Sequence, residues 1–300
     1  IKYKDSIKPD FIVAIGGGCV MDYAKIVSLF SLDKNLKKKL INSDYKDSNK
    51  IKVLALPTTA GSGAEVTSNA VIYFDKVKYS VEGSKVKPDF YSLIPKFFLS
   101  SNLKIDSSSG FDAISQSIES IFSQKSNNES VNFAKRALKI LINNYLDFLK
   151  NKNVKNSYKM ALGANLAGKA INISKTTAPH ALSYPFTAHY NVPHGHAVSL
   201  TLNKFLKFNY NNLKRANCNF DLNSRFNLIF KLTKSKNIND LDIFLKNIKR
   251  MAALEQDFLK LGIDINRDHH KILGGLNSRR LKNNPIKISK KDIKHILDRY

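Results

Sequence analysis

Asp112 and Gln116 stand four positions apart in a segment of helical periodicity, so both side chains leave the same face of a helix, one turn from each other. His180 and His194 follow, fourteen residues apart, each directly behind a proline, Pro179 and Pro193. Proline suits the opening position of a helix, which places both imidazoles at helix starts. Two imidazoles at the starts of two helices, with a carboxylate and an amide oxygen from a third, are a donor set with which a helical bundle builds a divalent metal centre. Taken singly, each of the four fits an ordinary cap, core or surface role; taken together they predict a metal site. His189 and His196 read as structural neighbours of it, and His269, His270 and His295 as solvent-facing groups.

A second chemistry is written in glycine. The apolar run Phe11-Ile12-Val13-Ala14-Ile15 stops at Gly16-Gly17-Gly18 and passes into Val20, Met21, Ala24, Ile26, Val27 and Phe30 at helical spacing. Bare backbone N–H groups at a helix start, together with the positive end of its dipole, favour a phosphate, and glycine lets that phosphate approach closely. Asp22 and Lys25 lie in the first turns of the same helix. A second run, Lys52 to Leu56, enters the loop Pro57 to Thr67, which offers glycines and the hydroxyls of Thr58, Thr59 and Ser62. Ligands of open α/β sheets bind where strands end, so two such loops predict a dinucleotide site.

Both runs read as strands of a parallel sheet buried on both faces. Ala70–Phe74 and Lys78–Glu82 form a hairpin pattern across Asp75-Lys76-Val77. From about residue 105 helical periodicity takes over, at Gly110–Phe122, Glu129–Leu149, Tyr158–Ile173, Pro179–Tyr190 and His194–Phe208. The reading is an α/β nucleotide-binding domain over residues 1–104, followed by an all-helical metal-binding and substrate domain over 105–300. Residues 33–50 and 277–290 are the most loop-like stretches, and no internal repeat is found.

Composition narrows the function. The 300 residues are 43% hydrophobic, without an apolar run long enough to cross a bilayer, so no membrane partner is expected. Cys19 and Cys218 cannot make a disulfide framework, which points to a reducing cytoplasm. The net charge of +25 comes from lysines scattered through nearly every segment, with no zinc-finger spacing or aromatic RNA-binding motif. Nucleic acid is therefore not expected as a partner, and a small anionic substrate uses the charge better. A homodimer is compatible with this composition. The chain opens at Ile1 without a methionine and reads as cut from something longer.

Gly16 to Lys25, Leu56 to Thr67, Gly110 to Ser120, His180 to Ala197 with its Pro193-His194-Gly195, and the tail Asn284 to Leu297 together resemble the iron-containing (group III) alcohol dehydrogenase family. The resemblance implies a Rossmann-like domain, a helical domain and an active site in the cleft between them. It assigns Gly16, Gly17, Gly18, Cys19, Asp22, Thr58, Thr59, Ser62 and Lys78 to NAD or NADP. It assigns Asp112, Gln116, His180 and His194 to a divalent ion, Fe2+ first and Zn2+ as the alternative. Three features depart from the family pattern. Gln116 stands where the family usually has histidine, and Tyr184 stands where a further histidine is common, in a proton-handling or substrate-contact role. The family's opening βα units, with the acidic residue that reads the cofactor ribose, are absent from the sequence, which leaves NAD and NADP undistinguished.

Gln116, Ser183-Tyr184-Pro185 and the segment Gly168 to His180 are most similar to the phosphonoacetaldehyde reductase (hydroxyethylphosphonate dehydrogenase) branch. That implies reduction of phosphonoacetaldehyde to 2-hydroxyethylphosphonate, with Lys169 and Lys175 as candidates for the phosphonate. The alternatives are a general short-chain alcohol or diol dehydrogenase of the family, and a catalytically inactive relative.

Overall fold

The computed structural model describes residues 1–45, 49–74 and 77–299, with the side chains of all of these but 73, 74, 77, 78 and 299. An α/β part comes first: α1 (Lys2–Ile7), β1 (Phe11–Gly16), α2 (Gly18–Leu29), α3 (Leu36–Asn42), β2 (Lys52–Pro57), β3 (Asn69–Phe74), β4 (Val77–Glu82) and β5 (Phe90–Tyr91). Strands β1, β2 and β5 form a parallel sheet in that order, and β3 pairs antiparallel with β4. The register of β1 on β2 runs from Phe11 opposite Lys52 to Gly16 opposite Pro57, so both strands end in step. That register sets the two glycine loops side by side. Thr58 N donates to Gly16 O at 2.9 Å and holds them there.

One expectation for the sheet is corrected. β1 is not buried on both faces: Phe11, Val13 and Ile15 are exposed and only Ala14 is buried. β1 is the last strand on its side of the sheet, and no described element covers that face. The stretch expected to be loop over 33–50 contains α3, whose Leu40 packs with Ile26 and Leu29 of α2 and with Phe30 just after it; residues 46–48 lie outside the described part.

The helical part follows: α4 (Leu103–Phe122), α5 (Asn128–Lys150), α6 (Val154–Ser174), α7 (Ala178–Tyr190), α8 (His194–Asn211), α9 (Leu222–Thr233), α10 (Ile238–Met251), α11 (His269–Gly274), α12 (Ser278–Leu281) and α13 (Lys290–Arg299). Asparagine starts several of them. Asn102 accepts from Ile105 N, and Asn127 with Ser130 and Asn153 with Asn156 make reciprocal capping boxes. Asn102 also explains why α4 begins seven residues before the expected Gly110. Its polar early turns hide a buried helix: Ser107 and Ser108 lie in the core, where the Ser107 carbonyl and the Ser108 hydroxyl find partners, while the Ser107 hydroxyl finds none among the described residues. Tyr145 Oη donates to Ser107 O at 2.6 Å, and Ser108 Oγ accepts from His196 N at 3.1 Å.

α4 is the central helix. Phe111, Ile114, Ile118 and Phe122 are buried against Leu138, Leu141, Tyr145 and Phe148 of α5 and against residues of α6, α8 and α9. Each such large side chain contributes roughly 1.5–3 kcal/mol by leaving water. Because α4 is enclosed on nearly all sides, its polar residues Asp112, Gln116 and Glu119 are buried too, and each needs a partner. Among the described residues no helix is long and apolar enough to cross a membrane.

Candidate metal and cofactor site

A cleft of about 510 Å3 separates the strand ends of the α/β part from α4, α7 and α8. Gly17, Gly18, Cys19, Asp22, Thr59 and Ser62 line one wall, and Asp112, Gln116, His180, Tyr184 and His194 line the other. The two groups of candidate residues therefore face each other across one space.

Asp112, His180 and His194 each offer a ligand atom, and these atoms all lie within 4.8 Å of one another. His180 Nε2 is 3.2 Å from Asp112 Oδ1. Gln116 comes from the same face of α4, its Nε2 donating to Asp112 Oδ2 at 2.9 Å. Its other amide atom, Oε1, is buried and among the described residues finds no hydrogen-bond partner. An orphaned acceptor at this depth is costly unless something electropositive meets it. Two imidazoles, a carboxylate and this amide oxygen fit a divalent ion.

Packing positions the ligands. Pro179 opens α7 one residue before His180 and Pro193 precedes α8, as the sequence predicts. Gly195 is required by close approach: a Cβ there would lie 2.0 Å from Ser108 O and 2.7 Å from Asp112 Cβ. The absence of a side chain brings His194 against α4. Ser183 Oγ donates to His180 O at 2.8 Å and lies 3.4 Å from His194 Nδ1, between the two ligand-bearing turns. The Tyr184 ring stacks beside His194, with centroids 6.0 Å apart and planes inclined by 28°.

Glu119 was not singled out from the sequence and proves central. Its Oε1 lies 2.5 Å from His180 Nδ1, while Oε2 accepts from Thr177 N at 2.7 Å and from Thr177 Oγ1 at 2.9 Å. The available signal was its spacing, seven residues after Asp112 on one face of α4. Burial disfavours a charged His180, but the carboxylates of Glu119 and Asp112 outweigh it and push the imidazole up to about 10. A cation in the cleft would take the place of the proton between His180 Nε2 and Asp112 Oδ1.

On the opposite wall, Cβ atoms added at Gly17 and Gly18 would meet Thr59 Oγ1 at 3.3 Å and Ser62 Oγ at 2.8 Å. The cradle has room for a ligand and none for side chains. Gly16 and Thr58 do not line the cleft; they bond to each other behind it. Asp22 lines the cleft and anchors α2 to the hairpin: Oδ2 accepts from Val71 N at 3.0 Å, and Oδ1 lies 3.5 Å from Lys25 Nζ. Lys25 is itself buried and donates to Thr67 Oγ1 and Asn69 O. Lys78 lies in β4 opposite Tyr73, and its side chain is outside the described residues.

The lysines expected at the substrate end are not among the residues that line the cleft. Lys169 turns its ammonium toward the rings of Tyr91 and Phe133, 5.6 and 5.9 Å from their centroids. Lys175 caps α6 with a positive φ of 59°, and burial lowers its pKa. Both lie near His180 along the sequence, and the turn into α7 carries them away from the cleft. Among the described side chains, the lysine and arginine that line the cleft are Lys104 and Arg280. His196 is structural, its Nε2 2.7 Å from Glu255 O; His270 is exposed, whereas His269 and His295 are half-buried rather than fully solvent-facing.

The chain matches the family model for iron-containing alcohol dehydrogenase over residues 2–95, and that for the C-terminal part of the Fe-containing alcohol dehydrogenase family over residues 107–300. It belongs to the iron-containing alcohol dehydrogenase family. It is similar to 4-hydroxybutyrate dehydrogenase of Clostridium kluyveri, 28% identical over 254 residues, covering 83% of this chain and 68% of that one. It is also similar to phosphonoacetaldehyde reductase of Streptomyces viridochromogenes, 32% identical over 216 residues, covering 68% of this chain and 54% of that one. The chain thus spans between about half and two thirds of these relatives' length. In fold it matches the NAD+ complex of sulfoacetaldehyde reductase from Bifidobacterium kashiwanohense, with a TM-score of 0.85 and 24% identity over 99% of this chain and 77% of that one.

Proposed function

We propose that the protein is a metal-dependent, NAD(P)-linked alcohol dehydrogenase that works as an aldehyde reductase. The observation that carries this reading is the placing of Asp112, Gln116, His180 and His194 directly across one cleft from the Gly17–Cys19 loop. A divalent ion held by these four supplies Lewis-acid polarisation of an aldehyde oxygen, and a reduced nicotinamide supplies hydride.

The chain's own residues do the rest. The N–H groups at the start of α2 and the hydroxyls of Thr59 and Ser62 hold the cofactor phosphates. Asp112 brings the one formal negative charge of the ligand set. Glu119 keeps His180 turned so that Nε2 faces the cleft, as carboxylates behind metal-bound histidines commonly do. The Tyr184 hydroxyl is assigned to passing a proton to the product oxygen.

The preferred substrate is a short aldehyde with an oxyanion tail, phosphonoacetaldehyde first, giving 2-hydroxyethylphosphonate. Support comes from the relative named for that aldehyde and from the chain's charge of +25. A general short-chain dehydrogenase is the second reading, favoured by the similarity to 1-propanol dehydrogenase of Salmonella typhimurium, 29% identical over 213 residues. Initial rates with phosphonoacetaldehyde, succinate semialdehyde and propanal, each with NADH and NADPH, decide between them. A kcat/KM for propanal above those of both anionic aldehydes rejects the first reading.

A further inference from the structure

We propose that Arg280 determines specificity at the far end of the cleft by binding the anionic tail of the substrate; this rests on the aldehyde-reductase reading above. The cleft continues into a second hollow of about 440 Å3, and Val71, Tyr184 and Arg280 border both spaces. Tyr184 stacks on the metal-site residue His194, so the junction begins one aromatic ring beyond the metal ligands. A two- or three-carbon aldehyde with its oxygen at the metal site would direct its other end into that junction.

Arg280 is suited to meet it. Among the described residues no carboxylate forms an ion pair with its guanidinium. Arg279 lines the second hollow beside it. The one acidic residue there, Glu82, accepts from Ser80 Oγ at 3.2 Å. Lys104, the other cation lining the first cleft among the described side chains, is exposed on the opening turn of α4, whereas Arg280 is half-buried. A partly desolvated guanidinium binds an oxyanion through two parallel hydrogen bonds, which an exposed ammonium cannot match.

The backbone at Arg280 is fixed to the metal site. Asn277 Oδ1 caps α12 by accepting from Arg280 N at 3.0 Å, and Asn277 N donates to Ala181 O at 3.3 Å, beside His180. Asn283 N donates to Arg280 O, and Asn283 Nδ2 donates to Thr176 O at 3.0 Å, just ahead of α7. The segment that carries Arg280 is thus tied at both ends to the residues around His180, so the fold sets how far the Arg280 backbone lies from the metal-site residues. Such a fixed distance discriminates by tail length as well as by charge.

The test uses Arg280→Met and Arg280→Lys in the metal-loaded enzyme, with phosphonoacetaldehyde, succinate semialdehyde and butanal as substrates. The ratio of kcat/KM for each anionic aldehyde to that for butanal should fall about ten- to a hundred-fold in the Met variant and recover in part in the Lys variant. Loss for both anions marks a general oxyanion site, and loss for phosphonoacetaldehyde alone marks a phosphonate site. Inhibition of butanal reduction by phosphonoacetate gives an independent readout, its Ki rising at least about ten-fold in Arg280→Met. Ratios and Ki both unchanged in Arg280→Met overturn the role of Arg280 and leave the aldehyde-reductase reading intact. A parent enzyme that reduces only butanal, yet loses phosphonoacetate inhibition in Arg280→Met, would reject the anionic-substrate reading and keep Arg280 as the anion site.

Discussion

Glu119 Oε1 meets His180 Nδ1 at 2.5 Å, while Asp112, two turns earlier on the same helix, meets the other nitrogen of that ring at 3.2 Å. A single helix therefore grips one imidazole from both sides. Glu119→Gln keeps the shape and removes the charge. It should weaken metal binding about ten- to a hundred-fold, the usual cost of losing such a partner. Competition with a chromophoric chelator measures this, and unaltered affinity would make Glu119 a core-filling residue only.

The metal itself is the broadest test. Purified protein should bind about one divalent ion per chain, and His194→Ala should abolish both binding and aldehyde reduction. Gln116→His should bind the ion at least as tightly as the parent, since imidazole is the better donor for these metals. Turnover that persists after chelation has stripped the ion would refute the mechanism.

Gly195→Ala asks whether His194 depends on the contact between α8 and α4. A Cβ 2.0 Å from Ser108 O cannot be accommodated without moving α8. Overpacking of this kind costs roughly 1–3 kcal/mol, and the displaced His194 should lower metal affinity beyond what the stability loss explains. Urea unfolding of the metal-free protein beside metal titration separates the two effects.

Gly17→Val fills the cradle opposite Thr59. Titration with NADH and NADPH by nicotinamide fluorescence should show weakened binding of whichever cofactor the parent prefers, with metal content preserved. Parent-like affinity in the variant would place the pyrophosphate elsewhere.

Lys249 is buried, donates to Ser199 O at 3.1 Å, and is held down to about 7 chiefly by burial. The unfolded chain keeps this proton up to an ordinary lysine value, whereas the folded protein releases it near neutrality. This group therefore makes folding stability rise with pH across that interval, by about 1.4 kcal/mol per unit. Lys249→Met should be more stable than the parent at pH 6.5, and its advantage should shrink toward pH 10. A difference that does not change with pH would refute the assignment.

Much of the site was legible in sequence because local geometry decides it. Spacing along α4 puts Asp112 and Gln116 on one face, proline opens the turns at His180 and His194, and glycine after a strand makes an anion cradle whatever the surrounding fold. The start of α4 is less legible, because Ser107, Ser108 and Ser109 in its second turn resemble loop although Asn102 caps the helix. The remainder depends on which surfaces meet. Glu119 is an ordinary glutamate until α7 lays His180 and Thr177 against it. Lys169 and Lys175 look poised beside His180 along the chain, yet the end of α6 and the turn into α7 carry them out of the cleft. Arg280 lies a hundred residues beyond His180 in a stretch that reads as loop, and only the packing of α12 on α7 brings it to the mouth of the cleft. Helical periodicity reports neighbours three and four residues away; contacts across such separations are set by the burial of the whole core, which no local pattern encodes.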